Sequence, residues 1–180
     1  IYIYIYRWKE HAMKTMVLSV LVDNTPGVLS RVAGLFSRRG YNIDSLTVGE
    51  TEDQAISRMT VQVTGDDMIL EQITKQLQKL QDVIEVYELK SGESVTRELI
   101  LVKVETKDRD RQSVISIANI FRAKIVDVSL ESLMIELTGN NEKIDAFINL
   151  LEQYTIKELV RTGITGLTRG SGDIADFIDE

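Results

Sequence analysis

One succession of hydrophobic periods, run through twice, limits this chain more than any other feature. Residues 16–22 are apolar and β-branched, which suits a buried strand. Val28, Leu29, Val32, Leu35 and Phe36 then recur on one helical face. Residues 43–48 read as a strand, and 49–54 as a polar loop. Met59, Val61 and Val63 alternate with Arg58, Thr60 and Gln62, as a half-buried strand does. Asp66 or Asp67 opens a helix whose Ile69, Leu70, Ile73, Leu77 and Leu80 share a face, and 83–89 is a closing strand. The same order then starts again. Residues 99–104 form a strand, and Val114, Ile117, Ala118 and Phe121 mark a helix. Residues 125–130 and 133–137 form a hairpin across Glu131-Ser132. Ile144, Phe147, Ile148 and Leu151 mark a second helix, and 156–160 is the last strand.

Strand–helix–strand–strand–helix–strand is the ferredoxin-like arrangement, with two helices on one face of an antiparallel sheet. The expected fold is therefore α+β, two ferredoxin-like βαββαβ domains. Val32-Ala33-Gly34-Leu35-Phe36 is echoed by Ile117-Ala118-Asn119-Ile120-Phe121, so the halves read as divergent copies. Ser91-Gly92-Glu93-Ser94 is a short polar hinge between domains at 13–91 and 92–170, and 171–180 is a tail. The alternating Ile-Tyr run that opens the chain looks foreign. It has neither the charged start nor the cleavage site of a signal peptide. Residues 1–12 are read as a tag-like or upstream extension, with Met13 as the native start and no role for His11.

The turn after the first strand carries the chemistry. Asp23, Asn24 and Thr25 are capping residue types, Pro26 suits a first helical turn, and Gly27 lets a ligand approach the backbone. Arg38 and Arg39 suit the last turn, and Gly40 a left-handed stop. The N–H groups of Gly27, Val28 and Leu29 have no intrahelical partners and can receive a carboxylate. Asn24 offers an oxygen to an ammonium group, and Asn42, at the start of the next strand, closes the site. Taken singly, each of these residues is a common turn former. Together they describe a spot for a small zwitterion, which requires the fold to bring Asn24, Gly27 and Asn42 to one place. In the second copy, Thr106-Lys107-Asp108-Arg109-Asp110-Arg111-Gln112 replaces Pro and Gly with charges. It should not hold a small amphiphile. The first half is expected to sense, and the second to dock or to set oligomeric state.

Composition removes other classes. A net charge of −7 is the wrong sign for a phosphate footprint, so no nucleic acid is expected. The chain has no cysteine and one histidine, which excludes disulfides, thiolate metal sites and multi-histidine clusters. No apolar run is long enough for a membrane span, and a cytoplasmic location is the default. A metal-responsive regulator lacks its His and Cys ligands. Catalysis by Asp23, Asp44 or Glu50 has no support beyond the usual carboxylates of turns and strand ends.

Asn24-x-x-Gly27-Val28-Leu29-Ser30-Arg31-Val32 and the run from Gly34 to Val48, with Gly40-Tyr41-Asn42-Ile43-Asp44-Ser45-Leu46-Thr47-Val48 at its heart, resemble the ACT domain of the small, regulatory subunit of acetolactate synthase (acetohydroxyacid synthase). The likeness returns at Arg97-Glu98-Leu99, Ile120-Phe121-Arg122-Ala123 and Thr162-Gly163-Ile164-x-Gly166-Leu167-x-Arg169-Gly170. The resemblance implies an ACT domain at the N-terminal end and a chain that does no chemistry itself. The catalytic partner would be a large subunit holding thiamine diphosphate, Mg²⁺ and FAD, with no cofactor or metal in this chain. The small subunit would activate that enzyme and confer feedback inhibition by valine, or another branched-chain amino acid, in branched-chain amino-acid biosynthesis. It further implies a homodimer through side-by-side ACT domains. Asn24, Gly27, Val28 and Leu29 of one subunit, with Asn42 and Ile43 of the other, would line the effector site. Pro26 removes one N–H from that turn and stiffens it. A stand-alone amino-acid sensor would share the turn without needing the Gly-Ile-Thr-Gly-Leu-Thr-Arg-Gly segment.

Overall fold

The computed structural model describes residues 12–107 and 109–173. Residues 1–11 of the extension read at 1–12, His11 among them, and 174–180 of the tail read at 171–180 therefore lie outside the described residues, as does Asp108. The first unit follows the expected order: β1 (Lys14–Asp23), α1 (Val28–Arg38), β2 (Ser45–Glu50), β3 (Ile56–Gly65), α2 (Asp67–Gln78) and β4 (Val83–Glu88). Its antiparallel sheet runs β2-β3-β1-β4, which leaves β2 and β4 as edges. Alternation sends Leu18, Val20 and Val22 of β1 and Met59, Val61 and Val63 of β3 to one face. There they pack on Val32 and Phe36 of α1 and Ile73 and Leu77 of α2. Each such side chain contributes about 1.5–3 kcal/mol when fully buried. A one-residue slip would turn the whole set to the other face, so this pattern fixes the register.

The second unit repeats the plan with β5 (Ser94–Glu105), α3 (Arg111–Ile120), β6 (Lys124–Val128), β7 (Ser132–Gly139), α4 (Asn141–Leu151) and β8 (Ile156–Arg161). Its sheet runs β6-β7-β5-β8. Ile100, Val102 and Val104 with Leu133, Ile135 and Leu137 face Val114, Ala118, Ile144 and Phe147 of the helices. Both units are thus α+β sandwiches of the ferredoxin-like kind.

Three boundaries differ from the periodic reading. β2 begins at Ser45, so Asn42 and Ile43 belong to the loop before it. That loop follows Gly40, which takes the left-handed conformation at φ +68, and Tyr41 N–H donates to the Phe36 carbonyl at 3.0 Å. The hairpin turn occupies 129–131, because Ser129 N–H closes on the Ser132 carbonyl at 3.0 Å; Leu130, expected in the strand, is 94% exposed at its tip. The third difference is an extra strand. β5 starts well before residue 99, and its first residues pair with β9 (Thr165–Thr168), from Ser94↔Thr168 to Arg97↔Thr165.

Between β8 and β9 the chain leaves the second sheet and crosses to the first. Gly163, at φ +90, lies so close to β2 that a Cβ would stand 2.6 Å from Ser45 Oγ. Ile164 is buried, its N–H donating to Ser45 Oγ at 2.8 Å and its carbonyl accepting from Thr47 Oγ1 at 3.0 Å. The second domain thereby covers part of the helix-free face of the first sheet, where Ser19 and Thr60 are buried. Arg58 serves the polar groups of that face, donating from Nη1 to Ser19 Oγ at 2.7 Å and to the Tyr87 hydroxyl. A cleft of about 540 Å³ remains between the domains, lined in part by Asp44, Ser45, Asp145 and Arg161. On its wall the buried Glu98 carboxylate receives Nε and Nη2 of Arg161, both at 2.8 Å.

Candidate effector site

The turn from β1 into α1 has no side-chain cap. α2 and α4 begin conventionally, with Asp66 Oδ1 accepting Ile69 N–H at 2.8 Å and Asn140 Oδ1 accepting Lys143 N–H at 3.0 Å. At α1 the N-cap is Gly27 itself, left-handed at φ 86, and no side chain bonds the first turn. This corrects the expectation that Asp23, Asn24 or Thr25 caps the helix. Pro26 lies in the turn ahead of α1, not within its first turn. Thr25 contributes only its carbonyl, 3.5 Å from Val28 N–H, and the first helical bond is Arg31 N–H to the Gly27 carbonyl at 3.1 Å. Among the described residues, the N–H groups of Gly27 and Leu29 meet no protein acceptor. The first turn also holds no acidic residue. These N–H groups and the positive end of the helix are available to an anion.

Asn24 is occupied elsewhere. Its Nδ2 donates to Glu50 Oε1 at 3.1 Å and to the Gln54 carbonyl at 2.8 Å, which ties the end of β1 to the end of β2. Its Oδ1 remains to accept from a ligand. Glu50 places a carboxylate beside it, a residue that sequence reasoning had set aside as an ordinary strand-end acid. Arg31 is the other residue that reasoning missed. Its Nε and Nη2 grip Asp82 at 2.5 and 3.0 Å, while its Nη1 stands 2.9 Å from where a Gly27 Cβ would be. Side chains on a helix lean toward its N-terminus, which is why the fourth helical residue reaches back to the cap. Arg31 hydrogen-bonding holds the Asp82 carboxyl below its ordinary pKa, against a smaller opposing desolvation effect. Val28 is a core side chain and offers only backbone, whereas Leu29 is 46% exposed and gives the turn an apolar wall.

Asn42 lies at the far end of the unit. α1 has 11 residues, so about 16 Å of helix separates the Asn24 turn from the Asn42 loop. One chain therefore does not bring Asn24, Gly27 and Asn42 together, which corrects the local reading of the sequence. Asn42 is exposed, its Nδ2 donates to Asp44 Oδ1 at 3.0 Å, and Ile43 packs partly on the core. In the second unit α3 starts with an arginine where α1 starts with a valine. Arg111 Nη2 donates to the carbonyls of Ser129 and Leu130, at 2.5 and 2.6 Å. Among the described residues no group of three or more His, Cys, Asp or Glu side chains is placed to hold a metal. No helix there is long and apolar enough to cross a membrane.

Comparison with known proteins decides the family. Residues 18–85 match the model for an AHAS small subunit-like ACT domain, and residues 97–170 match that for the small subunit of acetolactate synthase. The chain is 55% identical over 158 residues to the probable acetolactate synthase small subunit of Methanothermobacter thermautotrophicus, spanning 87% of this chain and 94% of that protein. The chain belongs to the acetolactate synthase small-subunit family. The small subunit of Mycobacterium leprae is 51% identical over 158 residues, covering 88% of this chain and 94% of that one. The crystal structure of the Thermotoga maritima small subunit superposes with a TM-score of 0.80 at 45% identity, covering 88% of this chain and 99% of that chain. The first of the two ferredoxin-like units is accordingly an ACT domain, and a regulatory role goes with membership of the small-subunit family.

Proposed function

We propose that this small subunit acts without chemistry of its own, raising the activity of a separate large subunit and transmitting feedback inhibition by a branched-chain amino acid, with valine as the first candidate. The large subunit would hold the thiamine diphosphate, Mg²⁺ and FAD of acetolactate formation, and both would work in the cytoplasm. The observation that carries this reading is the placement of two half-sites at opposite ends of an open edge strand. Asn24 is bonded to Glu50 at the end of β2, and Asn42 precedes its start. Antiparallel pairing of β2 with the β2 of a second copy, about a twofold axis, sets the partner's Asn42 and the partner's Ile43 beside Asn24, Gly27, Val28 and Leu29. Leu29 and Val48 are exposed apolar side chains of α1 and β2 that such a partner would cover.

In that site the effector carboxylate meets the N–H groups of Gly27 and Leu29, near the Arg31 guanidinium. The ammonium meets the amide oxygens of Asn24 and the partner's Asn42, with the Glu50 carboxylate close by. A small side chain rests on Leu29. A ligand shared by two subunits favours the paired arrangement over any other by its differential affinity, and this is the means by which it acts on the enzyme. One methylene in an apolar pocket is worth about 1–3 kcal/mol, so the preferred side chain is set by fine packing.

Calorimetry with sedimentation tests the site. A dimer that binds valine, and a folded Gly27→Asp variant whose affinity is at least tenfold weaker, is the expected result. A folded protein that binds none of valine, leucine or isoleucine would contradict it.

A further inference from the structure

Asn42 is joined to the second domain by an unbroken series of contacts. Its Nδ2 donates to Asp44 Oδ1 at 3.0 Å. The other oxygen of Asp44 accepts from Thr64 Oγ1 at 2.7 Å, and Asp44 N–H donates to the Gln62 carbonyl at 2.8 Å, so this carboxylate is fixed against β3. The next residue, Ser45, accepts the N–H of Ile164 at 2.8 Å, and Thr47 donates to the Ile164 carbonyl at 3.0 Å. The two hydroxyls thus satisfy both backbone groups of Ile164, as a neighbouring strand would. Glycine makes the approach possible. A Cβ on Gly163 would stand 2.6 Å from Ser45 Oγ and 3.4 Å from the Leu46 carbonyl oxygen. A Cβ on Gly166 would stand 3.0 Å from Leu89 Cδ1 of the first domain. The fit is close at this one contact, while beside it the 540 Å³ cleft gives the two domains room to shift.

From these contacts we infer that the Gly163–Ile164 segment is the positioning element through which the second domain and the Asn42 half of the effector site set each other's geometry. The inference rests on the effector-site reading for the role of Asn42. Ser45 and Thr47 touch no effector in that reading. They act through Asp44, whose carboxylate orients the Asn42 amide. Tightly packed contacts of this kind switch between discrete arrangements instead of deforming smoothly. An effector that favours one setting of Asn42 therefore favours one seat of Ile164 on β2. By linkage, a second domain held in another seat weakens effector binding by the same factor.

The test uses the small subunit assembled with its cognate large subunit, with acetolactate formation followed across a valine titration. Ser45→Ala/Thr47→Val removes both hydroxyl partners of Ile164. It is expected to stimulate the enzyme within twofold of wild type in the absence of valine. The valine concentration giving half inhibition should rise at least fivefold, within the range of ordinary allosteric coupling. Thr47→Ser keeps the hydroxyl and should inhibit like wild type. Gly163→Ala, with Ser45 and Thr47 intact, should reproduce the uncoupling. Unchanged inhibition in a double variant that stimulates normally overturns the inference and leaves the effector site standing. Loss of folding in the double variant and Gly163→Ala, shared by Thr47→Ser, assigns the contact to stability alone and also overturns it. Absence of valine binding and inhibition in the wild type removes the effector-site reading, and this inference with it.

Discussion

A side chain at Gly27 would displace the Arg31 guanidinium and strain the backbone. Its φ of +86 belongs to the left-handed region, and a Cβ would stand 2.9 Å from Arg31 Nη1. Gly27→Ala should therefore raise the valine concentration for half inhibition about tenfold while the circular dichroism spectrum is kept. Gly27→Asp should do more, because its carboxylate competes with the effector's own; equal effects of the two would argue against an anion at this turn. Arg31 and Asp82 make a separate prediction at this scale. Asp82 is held below its ordinary pKa chiefly by the Arg31 hydrogen bond. Its contribution to stability is therefore complete above the unfolded value, near 3.9. It is lost as pH falls through the lower folded value. Asp82→Asn removes that dependence. The difference in urea midpoint between wild type and variant should be constant from pH 7 to 5 and shrink on further acidification. A difference that grew on acidification would reverse the sign of the argument.

Elements with a strong period were legible in the sequence, and contacts made across long stretches of chain were not. The helix stripe that includes Val32, Leu35 and Phe36, and the strand alternation of Met59, Val61 and Val63, depend on near neighbours, so both could be read directly. β9 could not, because Thr165-Gly166-Leu167-Thr168 is a strand only by virtue of Ser94–Arg97 opposite it. Asn24 looked like a cap because capping is local chemistry, yet its partners Glu50 and Gln54 lie 26 and 30 residues on. The residue types of the candidate site were visible, but not that α1 holds its halves apart. Local capping can be measured where it does operate. Asp66→Ala should lower stability by about 1 kcal/mol in urea unfolding, whereas Thr25→Ala, whose side chain caps nothing, should cost a few tenths at most. Equal losses would mean that α1 is capped after all. At the domain junction, Arg161→Ala strands the buried Glu98 carboxylate and should cost about 3 kcal/mol. The double change Arg161→Met/Glu98→Met should recover most of that loss, and failure to recover would assign it to packing.

At the scale of the molecule, the described residues form two ferredoxin-like units that share a plan and differ at the start of their first helices. The first has an uncapped α1 start and an open β2 edge, while in the second Arg111 at the start of α3 bonds the Ser129 and Leu130 carbonyls. In the proposed function two copies pair along β2 to complete two effector sites, and effector binding there changes how the small subunit acts on the catalytic one. Replacing Val48, exposed on that edge, by Lys should weaken dimerisation and valine binding together, with sedimentation equilibrium and calorimetry as the readouts. Unchanged affinity in a monomeric variant would place the whole site in one chain. The most direct measurement is the rate at which the cognate large subunit forms acetolactate from pyruvate, with and without this small subunit, across a valine titration. Stimulation that valine then removes is the predicted result. A folded small subunit that neither stimulates the enzyme nor confers any response to valine, leucine or isoleucine would contradict the account.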